Sequence, residues 1–329
     1  MERSYYVEII QEMTQRDISI DIMKGIAIIA VIAGHVLPLE SHGRIIIYSF
    51  HMPLFFIVAG YLYKPNTMYR KRFRADFFRL MIPYLVFAFC FTIYLLIKET
   101  DKLYALKYSF IATVFGSSCN HLSLIWSTAP RIGAAWFLPA LFCCRQIFNL
   151  IYNHTKFVYI VIPCITVISI LIDNYLINLP FALLPGISAT IFYLIGYLVH
   201  SKTIEDKYYL IFGFVGFVCW MVHIMYSNMD MSFCYYGLYP VDVIGASFAT
   251  AAIYFVSRWL SKYHIGKVLG RIGEASLYIF CFHALEAEVK PYQWLQLGDR
   301  WYEELIIRAT WCIAVGYAYF VLKKHFKKV

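Results

Sequence analysis

Apolar runs of roughly 17 to 25 residues recur along almost the whole chain, each long enough to cross about 30 Å of hydrocarbon as a helix. Lipid offers no partner to backbone N–H and C=O groups, so only helices and closed barrels can span it, and runs of this length select helices. Composition agrees, with 61% hydrophobic and 15% charged residues in 329 and a mean hydropathy of +0.62, where a soluble domain carries about 25% charged residues. The expected fold is therefore all-α, a polytopic transmembrane helical bundle. No stretch is polar enough to form a separate soluble catalytic domain, so residues 1–329 read as one membrane domain whose chemistry occurs within or at the edge of the bilayer.

Charged or Gly/Pro-rich breaks divide the apolar sequence into ten expected spans, at about 18–38, 45–63, 79–97, 131–152, 157–177, 183–200, 208–227, 237–258, 273–290 and 303–322. With both termini cytoplasmic, 19 of the 29 Lys and Arg residues fall inside and seven outside, which the positive-inside rule favours. The segment 98–130 is long for an outside loop, and its apolar stretch Ser109 to Phe115 suggests an interfacial or re-entrant helix.

The net charge of +9 does not point to nucleic acid, because the cations sit between apolar runs and form no basic amphipathic surface. Cysteines such as Cys90, Cys144, Cys281 and Cys312 lie within the runs and carry neither zinc-like CxxC spacing nor a disulfide pattern. Residues 1–16 mix Glu2, Glu8 and Glu12 with Arg3 and Arg16, unlike the basic start of a cleaved signal peptide.

The first run carries the polar groups that most need explaining. Lys24 and His35 are eleven positions apart, which at 100° per residue puts them within about 20° of each other around the helix axis, with Asp21 within about 60° of both. One face thus carries a carboxylate, an ammonium and an imidazole, rising roughly 16 Å from Lys24 to His35. Ionisable groups at such depth face a bundle interior or a water-filled cavity. One reading is an Asp21–Lys24 pair near the surface with an interhelical hydrogen bond at His35; the other is a site. His51 opens the second span and His283 lies midway along the ninth, so three helices could bring three histidines together. No His-x-x-x-His pair accompanies them, and the reading includes no metal. Between the second and third spans, Arg70, Lys71, Arg72, Arg74 and Arg79 form a basic segment that either fixes topology and binds anionic lipid or holds a phosphorylated cytoplasmic ligand.

The run Arg16 to His35, followed by His51-Met52-Pro53-Leu54-Phe55-Phe56, resembles the acyltransferase 3 family of integral membrane acyltransferases, and within it the fucose 4-O-acetylase-like branch. Arg79 to Tyr84, Trp136 to Phe142, and Gly270 with Ser276 to His283 extend the likeness over nearly the whole chain in the expected order. Many members carry Arg, ten residues, then His as a signature; Lys24 holds the first position here. The resemblance implies a ten-helix bundle in a bacterial cytoplasmic membrane that takes an acyl group, usually acetyl, from cytoplasmic acyl-CoA. The group passes to a hydroxyl of a glycan, lipid-linked sugar or related acceptor. It implies acetyl-CoA as co-substrate, no metal and no nucleic acid partner, and it allows a homo-oligomer.

On this reading the catalytic residues are His35, Lys24 and Asp21. His35 is the general base for the attacking hydroxyl, with an acetyl-His35 intermediate as the rival chemistry. Asp21, about 21 Å along the axis from His35, is a partner of Lys24 or Arg16. Arg16, Arg72, Arg74 and Arg79 are the candidate contacts to the CoA phosphates, and His51, Trp136 and His283 the candidate contacts to the acceptor. The alternative from another class is a small-molecule transporter or flippase, with the same polar face lining a path and no covalent chemistry.

Overall fold

A computed structural model describes residues 17–65, 67–118, 130–173, 179–201, 206–290 and 300–326. Arg16 and the polar patch from Cys119 to His121 lie outside the described residues, as does Trp126. All regular elements among the described residues are helical. In chain order they are α1 (Ile18–Gly34), α2 (His42–Tyr48), α3 (His51–Tyr61), α4 (Tyr69–Lys98), α5 (Lys102–Phe115), α6 (Gly133–His154) and α7 (Val158–Asp173). Then follow α8 (Pro180–Ser188), α9 (Thr190–Ser201), α10 (Asp206–Tyr226), α11 (Val241–Leu260), α12 (His264–Glu274), α13 (Ser276–Val289) and α14 (Trp301–Phe326).

Each of the ten expected segments contains a helix, and among the described residues fewer than ten are long and apolar enough to cross a membrane by themselves. Five helical stretches are long and apolar enough, namely α2 with α3, α4, α6, α11 and α14, and the bent pairs α8–α9 (51°) and α12–α13 (67°) raise the number to seven. The difference from ten lies in α1, α7 and α10. Helix α1 has 17 residues, about 25 Å at 1.5 Å per residue, and the apolar parts of α7 and α10 are the short stretches Val158–Ile172 and Ile211–Tyr226. The re-entrant or interfacial segment expected within 98–130 contains α5, whose N-terminus is capped by Asp101 accepting from the N–H groups of Leu103 and Tyr104. Gly116, at φ +64°, ends it in the left-handed conformation that glycine adopts without steric cost.

Helix α1 is the central element, packed against α2, α3, α11, α12, α13 and α14. Its apolar side chains are accordingly buried, Ile22, Ala27, Ile28 and Ile32 completely. In lipid there is little hydrophobic drive between helices, so close backbone approach and dispersion decide the packing, and small residues allow it. A Cβ on Gly25 would overlap the Leu269 carbonyl, and one on Gly273 would overlap that of Asp21, so α1 and α12 cross backbone to backbone. Gly60 and Gly196 do the same for α3 and α9 against the carbonyls of Tyr193 and Ile57. In α4 a π-helical turn, Phe77–Met81, falls just before Pro83, whose ring nitrogen cannot donate to the helical ladder.

The first span was expected to run to residue 38, yet α1 stops at Gly34. His35 takes the cap position, its N–H shared among the carbonyls of Val31, Ile32 and Ala33, and Pro38 follows shortly after. The result places His35 at the mouth of the bundle and frees its ring from the helix surface.

Candidate active site

A cavity of about 510 Å³ opens at the end of the bundle where α1 terminates. That volume is in the range of small-molecule sites. His35 lies in its wall, together with Arg44 and Tyr48 of α2, His51 at the start of α3 and Trp136 of α6. The loop Met229 to Phe233 closes one side, and Glu288, Glu304 and Arg308 from α13 and α14 close another.

Two arginines hold the end of α1 beside His35. Arg44 donates from Nη1 to the Gly34 carbonyl at 3.0 Å and from Nη2 to the Tyr48 hydroxyl at 3.0 Å. Arg308 donates from Nη1 to the His35 carbonyl at 3.4 Å and to Glu304 Oε1 at 3.0 Å. These carbonyls are the orphan acceptors that any helix leaves at its C-terminus, and here side-chain cations take them up. The His35 ring is thereby fixed by its own backbone while remaining open to the cavity.

Behind His35 stands His283, its ring centroid 5.1 Å from that of His35 and the planes inclined at 52°. His283 is fully buried, and its Nδ1 lies 3.2 Å from Glu286 Oε2 one helical turn along α13. The other carboxylate oxygen of Glu286 meets Arg308 Nε at 3.0 Å, and the Cys312 thiol approaches Oε2 at 3.7 Å. Two of the three histidines thus meet directly. His51 shares the same cavity with its Nδ1 2.8 Å from the Ile47 carbonyl. As the carbonyl can only accept, Nδ1 carries the proton in the neutral ring and Nε2 is an acceptor.

His283, Glu286 and Cys312 bring three atoms able to ligate a metal within 4.8 Å of one another. Arg308 lies against the same carboxylate, so an added cation would sit beside a guanidinium and a thiol that must first lose its proton. The donor set fits a hydrogen-bond network better than a metal centre.

The other residues singled out in the sequence lie elsewhere. Lys24 Nζ is 2.6 Å from Asp21 Oδ1, with Asp21 buried, and neither lines the cavity. Arg72 follows the opposite end of α3 from His51; it is buried, donates to the Lys64 carbonyl, and stacks 4.0 Å over the Tyr63 ring. Arg74 and Arg79 are exposed on the same helix, Arg74 5.8 Å over the Phe78 ring. Beside them Arg145 of α6 pairs with buried Asp76, 2.9 Å from Nε and 2.8 Å from Nη2 to Oδ1, while Gln146 donates to Oδ2. The basic segment is therefore one buried aromatic-stacked arginine and several exposed cations, not a uniform patch.

Sequence reasoning passed over Glu286, Arg308, Arg44 and Asp230. Glu286 and Arg308 carried a signal, each being an ionisable residue inside an apolar run. Arg44 and Asp230 fall in the breaks between the expected spans and had none. Asp230 accepts from the backbone N–H of Ser232 at 2.9 Å and from its hydroxyl at 2.6 Å, and Ser232 in turn meets the Ser118 hydroxyl at 2.8 Å. Burial of this loop carboxyl pushes its pKa up, against the opposing pull of the Ser232 hydrogen bonds and Arg44.

The model of a family described as an acyltransferase domain matches residues 17–321. The nodulation protein NolL of Sinorhizobium fredii (strain NBRC 101917 / NGR234) is 36% identical over 140 residues, which cover 38% of this chain and 34% of that protein. The match thus spans about a third of the length of that relative. No solved structure matches the chain.

Proposed function

Because this chain belongs to the acyltransferase 3 family, we propose that it is a membrane O-acyltransferase moving an acyl group, most simply acetyl, from acyl-CoA to a hydroxyl of a glycan or lipid-linked sugar. The observation that carries the reading is His35, an imidazole open to a polar cavity at the end of the central helix. A neutral ring there takes the proton of an acceptor hydroxyl as its oxygen attacks the thioester carbonyl. The carbon–sulfur bond breaks, and the departing thiolate takes the proton back from His35 as free CoA leaves.

Trp136 and Tyr48 supply faces on which a sugar ring can stack, and Arg44, Asp230 and Glu304 supply donors and acceptors for its hydroxyls. Arg74 and Arg79, exposed at the other end of the bundle, suit the phosphates of CoA. On this reading the acyl-CoA face is cytoplasmic, the cavity opens outward and the membrane is a bacterial inner membrane. Purified protein given acetyl-CoA and a soluble sugar glycoside should release free CoA in proportion to acetylated sugar. Uptake of a solute into vesicles without any dependence on CoA would replace the enzyme reading with a transporter.

A further inference from the structure

The buried network behind His35 holds a carboxylate, a guanidinium and an imidazole. Glu286 is 4% exposed and His283 not at all, and a carboxylate so placed must be paired to be tolerated. Oε1 faces the Arg308 guanidinium at 3.0 Å, and Oε2 faces Nδ1 of His283 at 3.2 Å and the Cys312 thiol at 3.7 Å. A carboxylate only accepts, so Nδ1 of His283 must carry the ring proton in the neutral imidazole. Its Nε2 then bears a lone pair. That atom is buried and has no hydrogen-bond partner among the described residues, and the ring that bears it lies beside the ring of His35.

We propose that Glu286 is a positioning residue that sets His283 as a hydrogen-bond acceptor behind His35, with Arg308 locking the carboxylate in place. The inference rests on the acyl-transfer reading and assigns His35 its orientation. A rotation of the His35 ring, already 5.1 Å from that of His283 between centroids, lets one of its nitrogens donate N–H to Nε2 of His283, while the other keeps its lone pair for the hydroxyl in the cavity. When the hydroxyl O–H bond breaks, the proton forms the second N–H bond of His35. The positive charge that results is spread along a chain ending at Glu286, and it is removed when the proton passes to the CoA thiolate. Arg308 serves twice, through Nε to Glu286 and through Nη1 to the His35 carbonyl, so the base and its support are fastened by one side chain.

The substitution Glu286→Gln separates this role from simple packing. The Arg308 guanidinium has only donors to offer, so the amide oxygen of Gln turns toward Arg308 and its NH₂ faces Nδ1 of His283. The ring must then carry its proton on Nε2, and it meets His35 as a donor. Two readouts apply to the detergent-purified full chain. The first is the rate at which diethyl pyrocarbonate modifies His35, followed by peptide mass spectrometry, which needs no substrate and reports the free lone pair. The second is kcat and KM for acetyl-CoA with a methyl glycoside as the probe acceptor. We expect modification of His35 to slow about tenfold and kcat to fall by roughly 10- to 100-fold, with KM for acetyl-CoA unchanged. Modification of His35 at the parental rate would overturn the proposal. Should E286Q fail to insert, the double variant E286L/R308M removes both charges together, which a bundle tolerates far better than one, and its His35 is read in the same way. A parent that turns over no acetyl-CoA, while E286Q still slows modification, marks the acyl-transfer reading as the part that failed.

Discussion

Arg308 donates to the carbonyl oxygen of His35 across 3.4 Å, although 273 positions separate the two in the chain. The last helix thereby fixes the end of the first, and the cavity wall is built from both ends of the sequence.

Removing the imidazole tests the assignment of His35. The variant His35→Ala should insert and purify like the parent, because the ring faces the cavity and its backbone cap stays in place. Acetyl-CoA turnover should drop by about 10²- to 10⁴-fold, the usual contribution of a general base. Near-parental CoA release from a well-folded H35A protein would remove His35 from the mechanism.

The Asp21–Lys24 pair lies outside the cavity and is expected to act through stability. Lys24→Arg should keep a cation beside the buried carboxylate, whereas Lys24→Met withdraws it. The Met variant should lose up to roughly 3 kcal/mol, below the 3–5 kcal/mol of a fully buried broken pair because Lys24 is partly exposed. Thermal unfolding in detergent compares the two, and equal Tm values for Arg and Met would make the contact dispensable.

Helix crossings give a sharper stability contrast. Gly273→Ala forces a methyl group into the Asp21 carbonyl, and the backbones must part. Overpacking of this kind costs about 1–3 kcal/mol, occasionally more. Gly213→Ala meets no atom within 4 Å and replaces a helical glycine, so it should leave Tm unchanged or raise it slightly. The order of the two Tm values checks the α1–α12 packing.

Along the basic segment the arginines should separate by location. Arg79→Gln and Arg74→Gln are exposed and should weaken acetyl-CoA binding, each charge-assisted hydrogen bond contributing roughly 1.5 to 3 kcal/mol, with little effect on Tm. Arg72→Gln loses the Tyr63 stack and the Lys64 carbonyl bond, so it should lower Tm first. Titration with acetyl-CoA and a dephospho analogue at two salt concentrations reads the first effect. Unchanged binding in both exposed variants would reduce the segment to a topology and lipid signal.

The cavity loop should respond to pH through Asp230. Its carboxyl is raised in the folded protein, so the native state holds the proton more tightly than the unfolded chain does. The resulting stabilisation is complete below the unfolded pKa of about 3.9 and is lost as pH rises through the folded value. Asp230→Asn keeps an oxygen for the Ser232 donors and removes the charge. It should therefore raise Tm at pH 7 more than at pH 4; an equal change at both would place the titration elsewhere.

Much of the molecule is legible in the sequence, and what is not escapes it for physical reasons. The helices announced themselves because each apolar run must satisfy its own backbone, and the coincidence of Lys24 and His35 on one face follows from helical periodicity alone. His283 was visible as a polar atom in an apolar run, but not its approach to His35, which depends on how α13 packs on α1. Arg44 gave no sign because its role is set by where α1 stops, and that stop at Gly34 came four residues before the expected boundary. The ten expected spans and the five to seven long apolar helices among the described residues differ for a related reason: hydropathy measures apolar length in sequence, while bends and early caps decide how much of it forms one straight helix.

The brevity of α1 has a geometric consequence for the proposed acyl transfer. A helix of about 25 Å whose first residue lies at one boundary of a hydrocarbon layer of about 30 Å leaves its last residue some 5 Å short of the other. Its neighbours α11 and α14, at 20 and 26 residues, are long enough to reach further. Counted along their axes, α1 is thus the shortest of the three, and the cavity lies at the end where it stops. On the proposed acyl transfer, a short central helix would leave a donor from the opposite face less hydrocarbon to pass at His35 than along α11 or α14.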